Sequence, residues 1–207
     1  ASRPPPFPGV SVVCDVPGSG GGLLAQLPDL LRAQPYLGSC FLPLPADSYH
    51  VTALDVHCQF RPLLGDGAWL ELLREPRWAA AARRIRDADV RPRLRVRRVV
   101  TLYRGALVAE LESAHGDTAG HPAAMPLNRD LAELLGVGDQ KPPWHMTLAY
   151  CHRQDELDEE SEAYKAELRV VEAAVLSALP AEVPLDAARL CKFADMKAFI
   201  PWDGLPS

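Results

Sequence analysis

Apolar and polar positions alternate with a period of two over Trp144–Tyr150. In W-H-M-T-L-A-Y, Trp144, Met146, Leu148 and Tyr150 share one side, and His145, Thr147 and Ala149 share the other. Such alternation predicts a β-strand with its large apolar side turned to a core. The pattern recurs at Tyr49–Asp55, where Y-H-V-T-A-L-D sets Tyr49, Val51 and Ala53 against His50 and Thr52. In both stretches an aromatic residue precedes a His, and a Thr follows it two positions later on the same face.

The remaining patterns surround these two strands with a mixed set of elements. Val10–Val16 is short and β-branched and predicts a buried strand ending at Pro17. Leucines at 23, 24, 27, 30 and 31 predict a helix that restarts at Pro28. Ser39–Leu44 reads as a strand, Pro43–Asp47 as a turn, and Asp66–Arg74 and Pro76–Asp87 as helices. In the second of those helices Trp78, Ala81, Ala82 and Ile85 line one side. Arg93–Leu102 alternates until Arg98, where the slip predicts a bulge, and Tyr103-Arg104-Gly105 turns the chain back through Ala106–Glu112. Ser113–Pro126 reads as loop, Leu127–Leu135 as a helix stopped by Gly136, and Gly138–Pro143 as the lead into the second His strand. Asp155–Leu179 reads as the longest helix, its first turns acidic, and Leu185–Phe193 and Met196–Trp202 as closing strands. The order predicts one α+β domain over residues 1–207, made of two lobes that each give one His strand to a central cleft.

Composition narrows the classes. The 207 residues are 48% hydrophobic and 24% charged, ordinary for a globular domain. A net charge of −5 argues against a general electrostatic grip on long duplex nucleic acid, and no apolar run approaches a membrane span. Five scattered Cys without C-x-x-C spacing predict reduced thiols in an intracellular, cytoplasmic protein. The start at Ala1 shows no basic-then-apolar signal pattern, and a removed leader or organelle targeting stays open. Gly18–Gly22 lacks the ending of a Walker loop and the spacing of a dinucleotide fingerprint, so it reads as a flexible turn ahead of a phosphate cradle. A monomer without a cofactor is expected, and no metal, because acid–base chemistry by two His needs none and no carboxylate cluster is evident to hold one.

Two imidazoles facing one another make an acid–base pair: with a pKa of about 6.5, one can take a proton while the other gives one. Each Thr hydroxyl, on the same face as its His, can donate to a non-bridging phosphate oxygen. His50 and His145 are therefore the candidate catalytic residues, and Thr52 and Thr147 the candidate substrate-binding ones. Arg93, Arg95, Arg97 and Arg98 read either as a solvated strand face or as a lining that steers an anion. Lys192 is a lesser candidate for the phosphate. Tyr49, Trp144 and Tyr150 read as core, and His57, His115, His121 and His152 as residues without a partner Thr.

H-V-T-A at 50–53 and H-M-T-L at 145–148 resemble the paired H-x-T-x signature of the two-histidine (2H) phosphoesterases, which include cyclic phosphodiesterases and 2′,5′ RNA ligase-like proteins. P-F-P-G-V-S-V-V-C near the start, F-L-P-L-P-A-D-S-Y-H before the first motif, W-H-M-T-L-A-Y at the second and F-A-D-M near the end look like one largely uncharacterised branch of that superfamily. The resemblance implies a bilobal fold, two antiparallel sheets flanked by helices around a cleft. It also implies metal-free hydrolysis of a 2′,3′-type cyclic or 2′-linked phosphodiester in a nucleotide or short RNA end. His50 and His145 become the acid–base pair, the second more often the base in related enzymes, and Thr52 and Thr147 the phosphate donors. The alternative on the same fold is a non-catalytic nucleotide or RNA-end binding protein.

Overall fold

Val10, Val12 and Val13 hold the chain extended in β1 (Gly9–Asp15), which is buried along nearly its whole length. The structure is a computed structural model that describes residues 8–58, 65–114, 124–137, 144–194 and 198–202. A 3₁₀ turn at Leu24–Gln26 precedes α1 (Leu27–Ala33), with Pro28 in the first turn, where no N–H is needed. The strand expected from Ser39 begins later: α2 (Leu37–Cys40) comes first and only Phe41–Pro43 is β2. The Glu167 carboxylate accepts the N–H groups of Tyr36 and Leu37 at 3.0 and 2.8 Å, which satisfies that helix start.

β3 (His50–Cys58) carries the first His-x-Thr pair and β6 (Trp144–Cys151) the second. Between them lie α3 (Asp66–Leu73), α4 (Arg77–Ala88), β4 (Arg93–Leu102), β5 (Ala106–Ser113) and α5 (Ala124–Leu135). The predicted stripe of α4 is buried, and β4 shifts register between Val96 and Arg98 as its pattern required. α6 (Glu162–Ala178) starts later than the Asp155 expected. The Ser161 hydroxyl accepts the Tyr164 N–H and fixes the first turn, leaving Glu156, Asp158, Glu159 and Glu160 ahead of the helix. β7 (Val183–Pro184), β8 (Arg189–Phe193) and β9 (Ile200–Pro201) complete the chain, shorter than the closing strands expected. Most of the Ser113–Pro126 loop, Gly138–Pro143, Asp195, Met196, and with them His115 and His121, lie outside the described residues.

The fold is α+β, and its strands join in one antiparallel nine-stranded sheet, ordered β7-β4-β5-β6-β3-β1-β8-β9, with β2 also paired to β6. Where two sheets were expected, one path runs throughout, and its two halves meet at a single register pair, Val51 opposite Met146. One face of the sheet, bearing Val12, Val51, Leu54, Ala109, Met146 and Leu190, shares a hydrophobic cluster with Ile85, Leu131 and Val171 from the helices. Val13 and Val108 are fully buried but stand outside that cluster, on the other face. Among the described residues no helix is long and apolar enough to cross a membrane.

Candidate active site at the seam of the sheet

Register brings the two motifs together. Antiparallel neighbours step in opposite directions, so Val51 opposite Met146 places His50 beside Thr147 and Thr52 beside His145. The four side chains make a two-by-two patch across the seam. Directly opposed residues in such a patch lie about 5 Å apart at Cβ and diagonal ones about 7–8 Å, within reach of one phosphate. Tyr49, Val51, Trp144 and Met146 point to the core face and are buried, as alternation predicts.

His50 is only 7% exposed. Its Nδ1 lies 2.8 Å from the Ser48 carbonyl oxygen. A carbonyl can only accept, so Nδ1 carries the proton and Nε2 is left to exchange one. The Phe199 ring covers the imidazole, with centroids 3.9 Å apart. Burial lowers the His50 pKa, against the raising effect of the Ser48 hydrogen bond and then of Asp15, while Arg189 and His145 lower it further. His50 is thereby held neutral at pH 7. His145, Thr52 and Thr147 are partly exposed.

Two neighbours of the site break the alternation. Register shifts make Ala53 an extra residue in β3 and Leu148 an extra residue in β6, each one position after the motif Thr. A bulge reverses which face later residues take. Ala149, expected beside His145 and Thr147, therefore lies opposite the core residue Leu107 and joins the core. Tyr150, expected in the core, is partly buried against the core cluster and also hydrogen-bonds Thr147 on the His face. Burial first, with the Asp55 charge adding to it, pushes its phenol up to about 12. Asp55, five residues after His50 as Tyr150 is after His145, reaches the same face by the same device.

The flanking strands contribute two acids. Asp15 of β1 is opposite His50, and Glu110 of β5 is opposite His145. Arg93 pairs with Glu182, Arg95 with Glu112, and Arg97 and Arg98 with Glu110, so all four arginines are ion-paired along a strand face. Lys192 is opposite Val10, on the core-facing side of the sheet, and is directed away from the proposed phosphate position. His57 packs edge-on to Trp78 at 6.0 Å, and burial lowers its pKa. His152 is exposed. Cys14 and Cys191 are buried free thiols, each pushed up to about 12 by burial, and so are poor nucleophiles. Among the described residues no group of three or more His, Cys, Asp or Glu is placed to hold a metal ion.

Beside the glycine-rich turn is a cavity of about 220 Å³ walled by glycines and apolar residues such as Val16, Leu24 and Leu179, with no cation among its described lining residues. Gly18 and Gly22 have φ of +70° and +60°, as a turn requires.

Motif, register and α+β sheet together define a chain whose distinctive surface is a paired His/Thr patch. No protein-family model matches the chain, and no curated protein matches it. It is similar to a solved structure, a conserved protein of unknown function from Agrobacterium tumefaciens. The two share 20% identity over 95% of this chain and 84% of the other, with a TM-score of 0.56. That likeness is one of fold.

Proposed function

We propose that the protein is a metal-independent phosphodiesterase that hydrolyses a 2′,3′-type cyclic or 2′-linked phosphodiester in a nucleotide or short RNA end. The observation that carries this reading is the patch of His50, Thr52, His145 and Thr147 across the β3–β6 seam. In this reading the two halves of the sheet act as lobes, and the substrate lies in a cleft between them. Four donors and acceptors converge there from two strands, which suits a phosphate whose charge grows in a five-coordinate transition state.

The proton balance assigns roles. His50, neutral, takes the proton of the attacking water at Nε2 as the water oxygen bonds to phosphorus. His145, in the acid role, gives a proton to the departing sugar oxygen as the P–O bond breaks. The products are a phosphomonoester and a free hydroxyl, and proton exchange with solvent resets both rings. Thr52 and Thr147 donate to the non-bridging oxygens, and Tyr150, neutral and bonded to Thr147, orients that hydroxyl. This assignment makes the first His the base, the reverse of the usual order in the proteins the motifs resemble, and the burial of His50 supports it.

One observation favours the alternative of a non-catalytic nucleotide or RNA-end binder: Phe199 lies on the His50 ring and limits access to it. A panel of 2′,3′-cyclic nucleotides, 2′,5′-linked oligoadenylates, 3′,5′-cyclic nucleotides and cyclic-phosphate-ended RNA, with EDTA present, separates the two. Wild type is expected to turn over, and His50→Ala or His145→Ala to lose about 10²–10⁴-fold. Full activity in either variant sinks the enzyme reading, and saturable binding without product selects the binder.

A further inference from the structure

Across the sheet, one row reads Asp15–His50–Thr147–Val108 and the next Val13–Thr52–His145–Glu110. A half-turn in the plane of the sheet exchanges them, acid for acid, His for His, Thr for Thr and Val for Val. The repeat thus extends one strand beyond the motifs on each side. Each acid is gripped from the next strand outward. Arg189 of β8 holds Asp15 in a fork, Nε to Oδ2 at 2.9 Å and Nη2 to Oδ1 at 2.8 Å, while its Nη1 donates to the Phe199 carbonyl at 3.0 Å. Arg98 and Arg97 of β4 hold Glu110, whose side chain is only 9% exposed. Sheltering the Glu110 carboxylate to that degree costs desolvation that an apolar side chain would not, whereas the Asp15 side chain is 37% exposed; an acid–arginine pair nonetheless stands behind both histidines.

We infer that Asp15–Arg189 and Glu110–Arg98 are positioning pairs, one behind each histidine, which set the charge felt by that imidazole and, on the first side, its ring position. The inference rests on His50 and His145 being the acid–base pair. Arg189 does two things at once. It sets a cation against the Asp15 charge beside His50, and it ties down the Phe199 backbone whose ring covers the imidazole. The charged and titratable groups acting on His50 from the strands packed around it are Asp15 of β1, Arg189 of β8 and His145 of β6. Cys191, also on β8, stays neutral because burial pushes its thiol up to about 12.

Asp15 favours the His50 imidazolium and Arg189 opposes it, so removing one or the other must move the ring in opposite directions. A packing role would give both variants the same sign. The test is an NMR titration of the His50 ring Cε1–H in the full chain, comparing wild type, Asp15→Asn and Arg189→Gln, with circular dichroism confirming the fold. The midpoint is expected to fall in Asp15→Asn and to rise in Arg189→Gln, each by about half a pH unit or more. Should Arg189→Gln unfold, Arg189→Lys keeps the charge, and its midpoint is expected to stay at the wild-type value. Movement in the same direction in Asp15→Asn and Arg189→Gln, or none in folded protein, overturns the inference, as does an Arg189→Lys midpoint that rises. The titration needs no substrate, so a wild type inactive on every phosphodiester would defeat the enzyme reading and leave this result standing on its own.

Discussion

His50 meets two opposed influences: the Ser48 carbonyl favours its charged form, and burial under Phe199 disfavours it more strongly. The lowered pKa has a consequence in each of two experiments. In kinetics, the base form persists below the ordinary value, so the acid limb of kcat/KM is expected below about pH 6.5. In stability, the unfolded chain binds the proton first as pH falls, so stability is expected to drop from about pH 6.5 downward through the folded value. His57, also lowered by burial, adds to the drop in the same direction. Urea midpoints compared at about pH 7.5 and about pH 5.5 check this, with His50→Gln and His57→Gln each expected to flatten the difference. A midpoint that rises toward acid would contradict the burial account. The aromatic-His-x-Thr residues were legible in the chain because strict alternation holds through each Thr. Tyr150 and Asp55 were not, because no side-chain pattern announces a bulge that leaves the apolar count unchanged.

At the scale of elements, the β3 bulge is held by the helix beside it. The Asn128 side chain of α5, 5% exposed, donates from Nδ2 to the carbonyl of the bulge residue Ala53 at 2.7 Å. β4 uses the same device, its Val99 N–H donating to Glu172 of α6 just past the register shift. Asn128→Leu leaves a buried carbonyl without its partner and is expected to cost about 1–3 kcal/mol by chemical denaturation. It should also lower the proposed turnover, since Asp55 and the seam depend on the bulge; unchanged stability would remove Asn128 from this role. The β4–β5 turn carries the opposite kind of feature. Tyr103 and Arg104 have φ of +51° and +54°, the geometry of a tight hairpin turn, in residue types that do not favour it. Tyr103 is 98% exposed and brings no packing in return, whereas Arg104 donates to the carbonyls of Gln154 and Leu157. Tyr103→Asn is therefore expected to stabilise by roughly 0.5–1 kcal/mol, and a thermal midpoint that falls would refute the strain argument. The hairpin itself was readable from its alternating flanks. The start of α6 was not, because acidic residues and a buried Leu157 extend the helical pattern past the Ser161 cap.

For the whole molecule, the decisive feature is how short the backbone ladder is where β3 meets β6. β1 and β3 pair over seven positions and β4 and β5 over eight, but β3 meets β6 at one. The four proposed phosphate contacts straddle that junction, so an anion bound there would supply bonds between strands that the ladder itself leaves few of. The chain bears a net charge of −5, so attraction to the anion must come from the local groups of the patch and not from the molecule's overall field. A ligand bound only by the folded state adds RT ln(1 + [L]/Kd), about 1.4 kcal/mol when present at about tenfold its Kd. Inorganic phosphate is therefore expected to raise the melting temperature of wild type, and to slow amide exchange in β3 and β6 more than in the hairpin of β4 and β5. His50→Ala/His145→Ala should lose both responses, because the double variant keeps the fold's apolar core and removes only the two rings. Protection spread evenly over the sheet, or undiminished in the double variant, would mean that the anion binds elsewhere and that the seam is not where this protein meets phosphate.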